Sequence, residues 1–423
     1  MRIRIPQSLR SLVVFGMKVG GAGLAFILNI AITRAIGIHD AGVFFIAFSL
    51  TTILYAVARF GLGYTTYRSI AEAATEEGVP RVRQTANSVV LLVSAISIVI
   101  AIAVIASADL LSHWLFGSSE GVAVLILLAV TIPLYCIGSI FSEILKGLRR
   151  PVGYALFENI IIKACAVPIV LWLGVSLGLV GAGWAMLVAN AVGLVVVTLL
   201  TVSVLRGFPA ATRAHVDNLP TLLSTTALFA VVSLSTVLSQ WLGPLIVGQV
   251  LTPSDAAIFF TAYRTSAVLE FVVISIVSVA GPAFVAANSL GGIKSVLKLA
   301  KPEALKALGA VLLLAVPAAI FASPLMTMYG ADFAQGDNVL RTLILFQVIN
   351  APLGVYNAAV IALKREKAMA VLAPVSAILV AVLSYTFTLQ WGVLGAAVGV
   401  GLSMMTYNLM VYAILHLGKS KIQ

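Results

Sequence analysis

Residues 87–106 read NSVVLLVSAISIVIAIAVIA, a run without one charged side chain. A helix of about 20 residues spans about 30 Å, which matches the hydrocarbon core of a bilayer. Similar runs recur along the 423 residues, of which 61% are apolar and only 10% charged. A soluble domain carries about 25% charged residues. The sequence therefore excludes a water-soluble enzyme as the main interpretation and predicts a polytopic membrane protein.

The apolar runs predict twelve spans and an all-α polytopic fold. They lack the alternation of barrel strands, and a lipid-facing backbone must satisfy its own hydrogen bonds, so each span is predicted to be a helix. The first run is too long for a signal-peptide core and is interpreted as a retained span. The predicted spans cover residues 11–36, 41–62, 87–108, 121–145, 152–174, 180–205, 221–249, 255–285, 303–322, 338–363, 368–389 and 393–417.

The loop charges predict the orientation. If the N-terminus lies in the cytoplasm, most of the 26 basic residues fall in loops on that side, whereas Arg34 and Arg341 mark outer ends. This positive-inside pattern places both termini in the cytoplasm. The net charge of +11 is thus interpreted as topology and contact with membrane lipid headgroups, not as nucleic-acid binding. The inner loops 63–86 and 288–301 resemble amphipathic surface helices, although solvated connectors fit them equally well.

No sequence pattern predicts catalysis, a metal site or a cofactor. The two cysteines, Cys136 and Cys165, lie inside apolar runs and form no disulfide framework. The four histidines are scattered and lack the spacing of metal ligands. The fragment GKS at 418–420 lacks the glycine-rich segment of a phosphate-binding loop. We therefore predict that the protein is not an enzyme and needs no cofactor.

The sequence contains an internal repeat. Residues 40–48, DAGVFFIAF, match residues 255–263, DAAIFFTAY, and residues 178–183, GLVGAG, match residues 392–397, GVLGAA. The two offsets, 215 and 214 residues, are nearly equal. Two six-span halves follow, and because six is even they are parallel repeats around a central cavity that holds the substrate. The predicted domains are an N-terminal six-helix bundle at 1–206, a cytoplasmic linker at 207–220 and a C-terminal six-helix bundle at 221–423.

Several of these motifs resemble those of a known superfamily. The sequence RAIG at 34–37, followed by DAGVF at 40–44, resembles its motif at the turn between spans 1 and 2. GLRR at 147–150 and GAG at 181–183 are similar to its later motifs. On these residues the chain resembles the polysaccharide export group, the Wzx-type flippases, within the multidrug/oligosaccharidyl-lipid/polysaccharide superfamily. The resemblance covers the whole chain in length, span number and duplication.

The resemblance implies a MATE-like, V-shaped pair of bundles that alternates access. It implies movement of an undecaprenyl-pyrophosphate-linked oligosaccharide, an O-antigen (lipopolysaccharide) or exopolysaccharide repeat unit, from the cytoplasmic to the periplasmic leaflet of the bacterial inner membrane. A polysaccharide polymerase and its chain-length machinery are the implied protein partners. The alternative is a cation-coupled multidrug exporter of the same superfamily, in which many members use an acid in span 1 or span 7. Here span 1 carries Lys18 and span 7 has no acid. A membrane scaffold for the polymerase is a third hypothesis.

Four basic residues are predicted to lie within the membrane. An ionisable group at mid-depth costs about 2.5–3.5 kcal/mol or more, so each should face a partner or a wet cavity. Arg264 lies about 14 Å into span 8 and Lys163 is similarly central in span 5, whereas Lys18 and Arg59 lie nearer the inner face. Because arginine and lysine suit a pyrophosphate, all four are candidate substrate contacts. Structural pairing with glutamates is the other interpretation.

Uncharged polar residues within the spans are candidates for contacts with sugar hydroxyls. Hydrogen bonding between helices explains them as well. Lys18 and Asn29 share a small, polar face of span 1. Glu158 and Glu270 are the candidate carriers if a proton gradient drives transport. The candidate sugar contacts are Asn29, Asn159, Gln240, Trp241, Asn350 and Tyr356.

Overall fold

The computed structural model describes residues 7–74, 79–209, 219–363 and 365–417. Every regular element within these ranges is a helix, which confirms the predicted fold class at that level. The elements up to residue 209 are α1 (Gln7–Arg59), α2 (Leu62–Ala73), α3 (Val79–Ala106), α4 (Ala108–Phe116), α5 (Val122–Gly147), α6 (Pro151–Ala155), a π-helical turn (Leu156–Ile161), α7 (Ile162–Ile169), a second π-helical turn (Val170–Gly174) and α8 (Val175–Leu205). Those that follow are α9 (Leu219–Val250), α10 (Pro253–Ser266), a 3-10 turn (Ala267–Leu269), α11 (Glu270–Ile320), α12 (Ala322–Thr327), a second 3-10 turn (Ala331–Gly336), α13 (Asp337–Ala362) and α14 (Glu366–Leu417).

Within the described ranges, eight helical segments are long and apolar enough to cross a membrane. Many of their large apolar side chains are exposed, among them Leu91, Trp172 and Val279 at 68%, 74% and 83%. Exposed apolar surface of this extent indicates contact with lipid, so the chain is a membrane protein. The eight segments are Val13–Arg59, Val82–Ala106, Val122–Gly147, Pro151–Leu205, Phe229–Val250, Pro253–Ile320, Ala331–Ala362 and Ala368–Leu415.

Four of the eight segments contain a break in the helical backbone. Gly178 has φ 58° and ψ −135°, Gly292 has φ 59° and ψ −147°, and Gly392 has φ 59° and ψ −142°, so three of the breaks have nearly the same geometry. These torsions are accessible to glycine and strained for other residues. Gly178 and Gly392 open the repeated segments GLVGAG and GVLGAA. The four breaks lie at Gly37, Gly178, Gly291–Gly292 and Trp391–Gly392.

A second pair of glycines, Gly181 and Gly395, lies three residues beyond Gly178 and Gly392. A Cβ on Gly181 would lie 1.9 Å from the Leu173 carbonyl oxygen, and a Cβ on Gly395 would lie 1.9 Å from the Phe387 carbonyl oxygen. Neither position has room for a side chain. The helical arms on either side of each break are therefore packed backbone against backbone at matching positions of the repeat.

Most of α2 lies within the predicted loop 63–86, where it buries Ile70 and exposes Arg68. Arg68 Nε donates a hydrogen bond to Glu72 Oε1 at 2.7 Å. This bond and the carboxylate charge raise the pKa of the Arg68 guanidinium. The helix predicted in this loop is thus present, while residues 75–78 lie outside the described residues.

The chain divides into two compact units, Met1–Leu234 (unit 1) and Ser235–Gln423 (unit 2). In unit 1 an apolar cluster lies around Val93 of α3 and Ile140 of α5. In unit 2 another lies around Phe284 of α11 and Val355 of α13. Residues 210–218, most of the predicted linker 207–220, lie outside the described residues.

Candidate functional site

The candidate residues divide evenly between the two units, and each set is considered separately. Among the residues that the structure describes, no group of three or more His, Cys, Asp and Glu side chains is arranged to hold a metal ion. Unit 1 contains Lys18, Asn29, Arg59, Glu158, Asn159 and Lys163, and unit 2 contains Gln240, Trp241, Arg264, Glu270, Asn350 and Tyr356.

In unit 1, three hydroxyl groups of α5 hold the Glu158 carboxylate. Ser139 Oγ and Ser142 Oγ donate to Glu158 Oε1 at 2.9 and 3.2 Å, and Tyr135 OH donates to Oε2 at 3.2 Å. Positions 135, 139 and 142 follow i, i+4 and i+7 spacing, so α5 presents all three donors on one face. Hydrogen bonds to an ionised acceptor are among the stronger ones, and this set stabilises the carboxylate in its half-buried position.

Arg59, at the end of α1, is joined to Glu158 through a serine. Its Nη1 donates to Ser139 Oγ at 2.7 Å, and the same hydroxyl donates to the carboxylate. The Arg59 Cζ also lies 5.8 Å from the centroid of the Tyr135 ring. The two opposite charges are therefore linked without direct contact. For Arg59 this geometry favours structural pairing over an open substrate contact.

Glu158 lies in the π-helical turn Leu156–Ile161. Such turns are rare and frequently occur at functional sites. Lys163 follows the turn, and its Nζ donates to the carbonyl oxygens of Glu158 at 2.9 Å and Asn159 at 3.3 Å. The lysine charge is thus partly satisfied by the backbone of its own helix.

The predicted polar face of span 1 is used for close helix packing. A Cβ on Gly21 would lie 2.5 Å from the carbonyl oxygen of Asn159, whose side-chain Nδ2 donates to Ala155 O at 3.1 Å. Lys18 is exposed and Asn29 is half-buried. No hydrogen bond among the described residues joins either side chain to the network around Glu158.

In unit 2, Arg264 stacks on Trp241. The Arg264 Cζ lies 3.7 Å from the centroid of the Trp241 ring and 5.2 Å from that of Phe260. Its Nη2 is buried and has no hydrogen-bond partner among the described residues. An unsatisfied buried donor costs about 1–3 kcal/mol, and more when it is charged, so this group calls for an acceptor. The neighbouring residues Gln240 and Tyr263 line an adjacent cavity.

This cavity has a volume of about 430 Å³. Three predicted residues, Gln240, Glu270 and Asn350, belong to its lining. Tyr356 does not; it packs against Tyr412 with ring centroids 4.9 Å apart and belongs to the apolar cluster of the unit. A cavity lined by amides, hydroxyls, tyrosines and one carboxylate suits a ligand with many hydrogen-bonding groups.

Three asparagines form a hydrogen-bonded chain on the cavity wall. Asn350 Nδ2 donates to Phe346 O at 2.8 Å, Asn408 Nδ2 donates to Asn350 Oδ1 at 2.8 Å, and Asn357 Nδ2 donates to Asn408 Oδ1 at 3.1 Å. The chain ends at Asn357 Oδ1, which is buried and has no partner within the described part of the protein.

Sequence reasoning identified Asn350 as a contact and missed both other asparagines. A signal existed for Asn357, because Gln347, Asn350 and Asn357 recur at i, i+3 and i+10 and face the cavity together. Asn408 lies 58 residues from Asn350 on another helix, and no local pattern connects the two.

A family model described as "Polysaccharide biosynthesis protein" matches residues 10–287, well over half of the chain. The chain therefore belongs to the polysaccharide biosynthesis protein family. The resemblance inferred from the motifs at the span 1–2 turn, after span 4 and in span 6 is confirmed at this level.

Relatives and solved structures agree with this assignment. The chain is 24% identical over 404 residues to the "Probable low-salt glycan biosynthesis flippase Agl15" of Haloferax volcanii, over 93% of this chain and 80% of the relative. An inward-facing multidrug resistance MATE family transporter of the MOP superfamily aligns with a TM-score of 0.80 at 16% identity, over 95% of this chain and 96% of that one. Lipid II flippase MurJ in an inward closed conformation aligns with a TM-score of 0.78 at 13% identity, over 97% and 88%. At these identities the structural likeness shows a shared fold.

Proposed function

We propose that this protein is a flippase, not an enzyme, and that it moves a lipid-linked oligosaccharide from the cytoplasmic to the outer leaflet. The observation that carries the proposal is Arg264, whose buried Nη2 lacks a partner among the described residues and lies next to a cavity lined by both polar and apolar side chains. Family membership and the relative named as a glycan biosynthesis flippase support the same function.

The chemistry of such a substrate matches unit 2. A pyrophosphate carries negative charge and many acceptor oxygens, and a guanidinium offers a planar fork of donors to them. Stacking on Trp241 holds the Arg264 plane in one orientation. The sugar needs amides, hydroxyls and aromatic faces, which the adjoining cavity supplies through residues such as Gln240 and Asn350.

The remaining candidates in unit 1 have weaker support as substrate contacts. Lys18 is exposed and keeps its charge available, so it is the first of them to test. Lys163 and Arg59 already have partners within the unit. Asn159 packs against Gly21 and donates to its own helix, and Tyr356 of unit 2 packs against Tyr412. Asn29 is half-buried, and no described contact of its side chain supports it as a substrate contact.

The proposed architecture has twelve crossings. Eight apolar helical segments are described, four contain a backbone break, and counting both arms of those four gives twelve crossings. We assign them to six-helix halves at 1–206 and 221–423, joined by a linker at 207–220. The breaks at Gly178 and Gly392 fall at equivalent positions of the repeated segments, and the equal close contacts at Gly181 and Gly395 support the duplication. Parallel halves of this kind alternate access by rocking around a site near the midplane.

The proposed setting is the bacterial inner membrane, with both termini in the cytoplasm. The proposed substrate is an O-antigen or exopolysaccharide repeat unit on undecaprenyl pyrophosphate. A polymerase and its chain-length machinery then receive the flipped product, since a unit delivered to the outer leaflet must be consumed there.

We assign proton coupling, if a gradient drives the cycle, to Glu270 before Glu158. Glu158 already accepts hydrogen bonds from three hydroxyl groups of α5, which hold it in a structural network. Glu270 lines the cavity and has no hydrogen bond or ion pair with another described residue. A carboxylate without partners changes its protonation with less disruption of the surrounding structure.

The experiment uses the full chain reconstituted in liposomes with a fluorescent short-chain polyprenyl-pyrophosphoryl sugar. Translocation is scored by accessibility from one side. Arg264→Ala should reduce translocation at least tenfold, whereas Arg341→Ala, which removes an exposed arginine paired with Asp337 at 2.6 Å, should leave it within twofold of the wild type. Equal translocation by Arg264→Ala at equal reconstituted amounts would refute the assignment.

One observation favours the second candidate function, a cation-coupled multidrug exporter. Glu270 places a carboxylate in a cavity that Tyr263 and Tyr407 also line. Carboxylates with aromatic rings bind organic cations. This candidate predicts gradient-driven efflux of organic cations that Glu270→Gln abolishes and Arg264→Ala leaves intact.

A further inference from the structure

The cavity of unit 2 has an uneven balance of charge. Among the described residues that line it, Glu270 is the one carboxylate, and no lysine, arginine or histidine is present. The nearest basic group argued to be functional, Arg264, is turned onto Trp241 and is not part of the lining. The lining is therefore neutral except for one negative charge, and Arg264, whose charge acts on Glu270, lies outside the lining in its stack on Trp241.

The asparagine chain adds a second acceptor to this region. Phe346 O is a backbone carbonyl and can only accept, so its bond fixes which atom of the Asn350 amide is nitrogen. That choice fixes Asn408 and then Asn357 in turn, because each amide oxygen must accept from the next amide nitrogen. The orientation of all three amides is thereby determined. Asn357 Oδ1 is left as an acceptor that needs a donor from elsewhere.

Glu270 and Asn357 are brought to the same cavity by packing of α11 against α13. A Cβ on Gly354 would lie 3.2 Å from Val273 Cγ1, so the two helices are in close contact between these residues. Glu270 is one helical turn before Val273, and Asn357 is one turn after Gly354. Both groups accept hydrogen bonds, and neither has a donor among the described residues.

We propose that this cavity is an acceptor-lined subsite for the sugar part of the substrate, that it takes a neutral or amino sugar, and that Glu270 and Asn357 exclude acidic sugars. The inference rests on the proposed function and deepens it. A hexose or amino sugar brings hydroxyl or N–H donors to both acceptors. A uronate brings a second negative charge beside Glu270, and two carboxylates that share one cavity repel each other. Arg264 then binds the pyrophosphate, while the sugar lies in the adjoining cavity.

Glu270 and Asn357 would also accept hydrogen bonds from the N–H groups of an organic cation, so the experiment must distinguish a sugar from such a cation. Two short-chain polyprenyl-pyrophosphoryl lipids serve as matched probes, one with a glucosyl and one with a glucuronosyl head group. They differ only at C6 of the sugar, which is a hydroxymethyl group in the first lipid and a carboxylate in the second. Binding to the full chain in nanodiscs is measured with radiolabelled lipid, and translocation is measured in liposomes. A small organic cation is added as a competitor.

The wild type should prefer the glucosyl lipid by roughly tenfold, as one like-charge contact within the cavity predicts. Glu270→Gln should bring the ratio of glucosyl to glucuronosyl lipid binding close to one, mainly by improving the binding of the glucuronosyl lipid. Asn357→Asp should increase the preference, because it adds a second carboxylate to the cavity. The control is Glu303→Gln, which removes a carboxylate of the same unit that pairs with Lys306 at 2.7 Å and does not line the cavity; it should leave the preference unchanged.

Each alternative outcome identifies which statement fails. Equal use of both lipids by the wild type, or a preference that Glu270→Gln does not change, overturns the inference while the flippase function stands. Failure of the wild type to bind or move either lipid overturns the proposed function and the inference together. If the organic cation displaces bound lipid and no lipid is translocated, the cavity belongs to the exporter function, and the proposed function and the inference are both overturned. If Asn357→Asp does not fold, the Glu270→Gln preference alone decides.

Discussion

Replacing Ser139 by alanine removes the hydroxyl that joins Arg59 to Glu158. The change deletes a single oxygen atom and creates almost no cavity, so its effect reports mainly on the two hydrogen bonds. The hydroxyl accepts from Arg59 at 2.7 Å and donates to Glu158 at 2.9 Å. Each bond to a charged group contributes about 1.5–3 kcal/mol. Glu158 keeps its bonds from Tyr135 and Ser142, so we expect a net loss of about 3 kcal/mol in the free energy of unfolding.

The matched control is Ser142→Ala on the same helix. Ser142 donates to Glu158 at 3.2 Å, contacts no arginine and has the Ser139 carbonyl as a second acceptor. Its loss should cost about 1 kcal/mol. Both variants are measured by equilibrium unfolding of the full chain in bicelles, each also in a Glu158→Gln background. Coupling in that cycle isolates the link through the carboxylate.

The reasoning predicts that Glu158→Gln reduces the cost of Ser139→Ala to about 2 kcal/mol, because the bond from Arg59 remains while the amide is a weaker acceptor than the carboxylate. Two equal losses for Ser139→Ala and Ser142→Ala, both unaffected by Glu158→Gln, would refute a serine-bridged charge pair. Arg59 and Glu158 would then be independent of each other, and Arg59 would return to the set of open substrate contacts.

Three further predictions follow from the described contacts. Gly181→Ala and Gly395→Ala each place a Cβ 1.9 Å from a carbonyl oxygen and should sharply reduce the yield of folded protein, whereas Gly23→Ala, where nothing lies within 4 Å, should not; equal yields by size-exclusion chromatography would contradict the close packing. Trp241→Ala should weaken lipid binding about tenfold by releasing the Arg264 stack. Trp241→Phe should restore most of the binding because it keeps an aromatic face, and no restoration would contradict a role for the stack. Glu270→Gln should make translocation insensitive to an imposed pH gradient. If the variant keeps the full response to the gradient, Glu270 is not the proton carrier.

Much of the fold was predictable because the bilayer restricts the chain to apolar helices. The run at 87–106 lies within α3, and the repeated GLVGAG and GVLGAA segments each begin at a glycine where the helix breaks. The π-helical turn at Leu156–Ile161 was not predicted. Its sequence, LFENII, does not distinguish a π-helical turn from a continuous α-helix.

The candidate site was predictable only where one residue carries the signal. Arg264 stands out because a charged side chain within an apolar span is costly and is usually retained for a function. The partners of Glu158 could not be identified in advance, since Ser139 lies 19 residues away and meets the carboxylate only after α5 packs against the π-helical turn. Asn408 shows the same limit, because its role depends on the contact between α13 and α14.

The most direct test of the central claim is one-sided accessibility of a fluorescent polyprenyl-pyrophosphoryl sugar in liposomes that contain the wild-type chain, with gradient-driven efflux of an organic cation measured in the same vesicles. The account predicts translocation of the lipid, loss of that translocation in Arg264→Ala, and no efflux of the cation. Cation efflux without lipid translocation would contradict it.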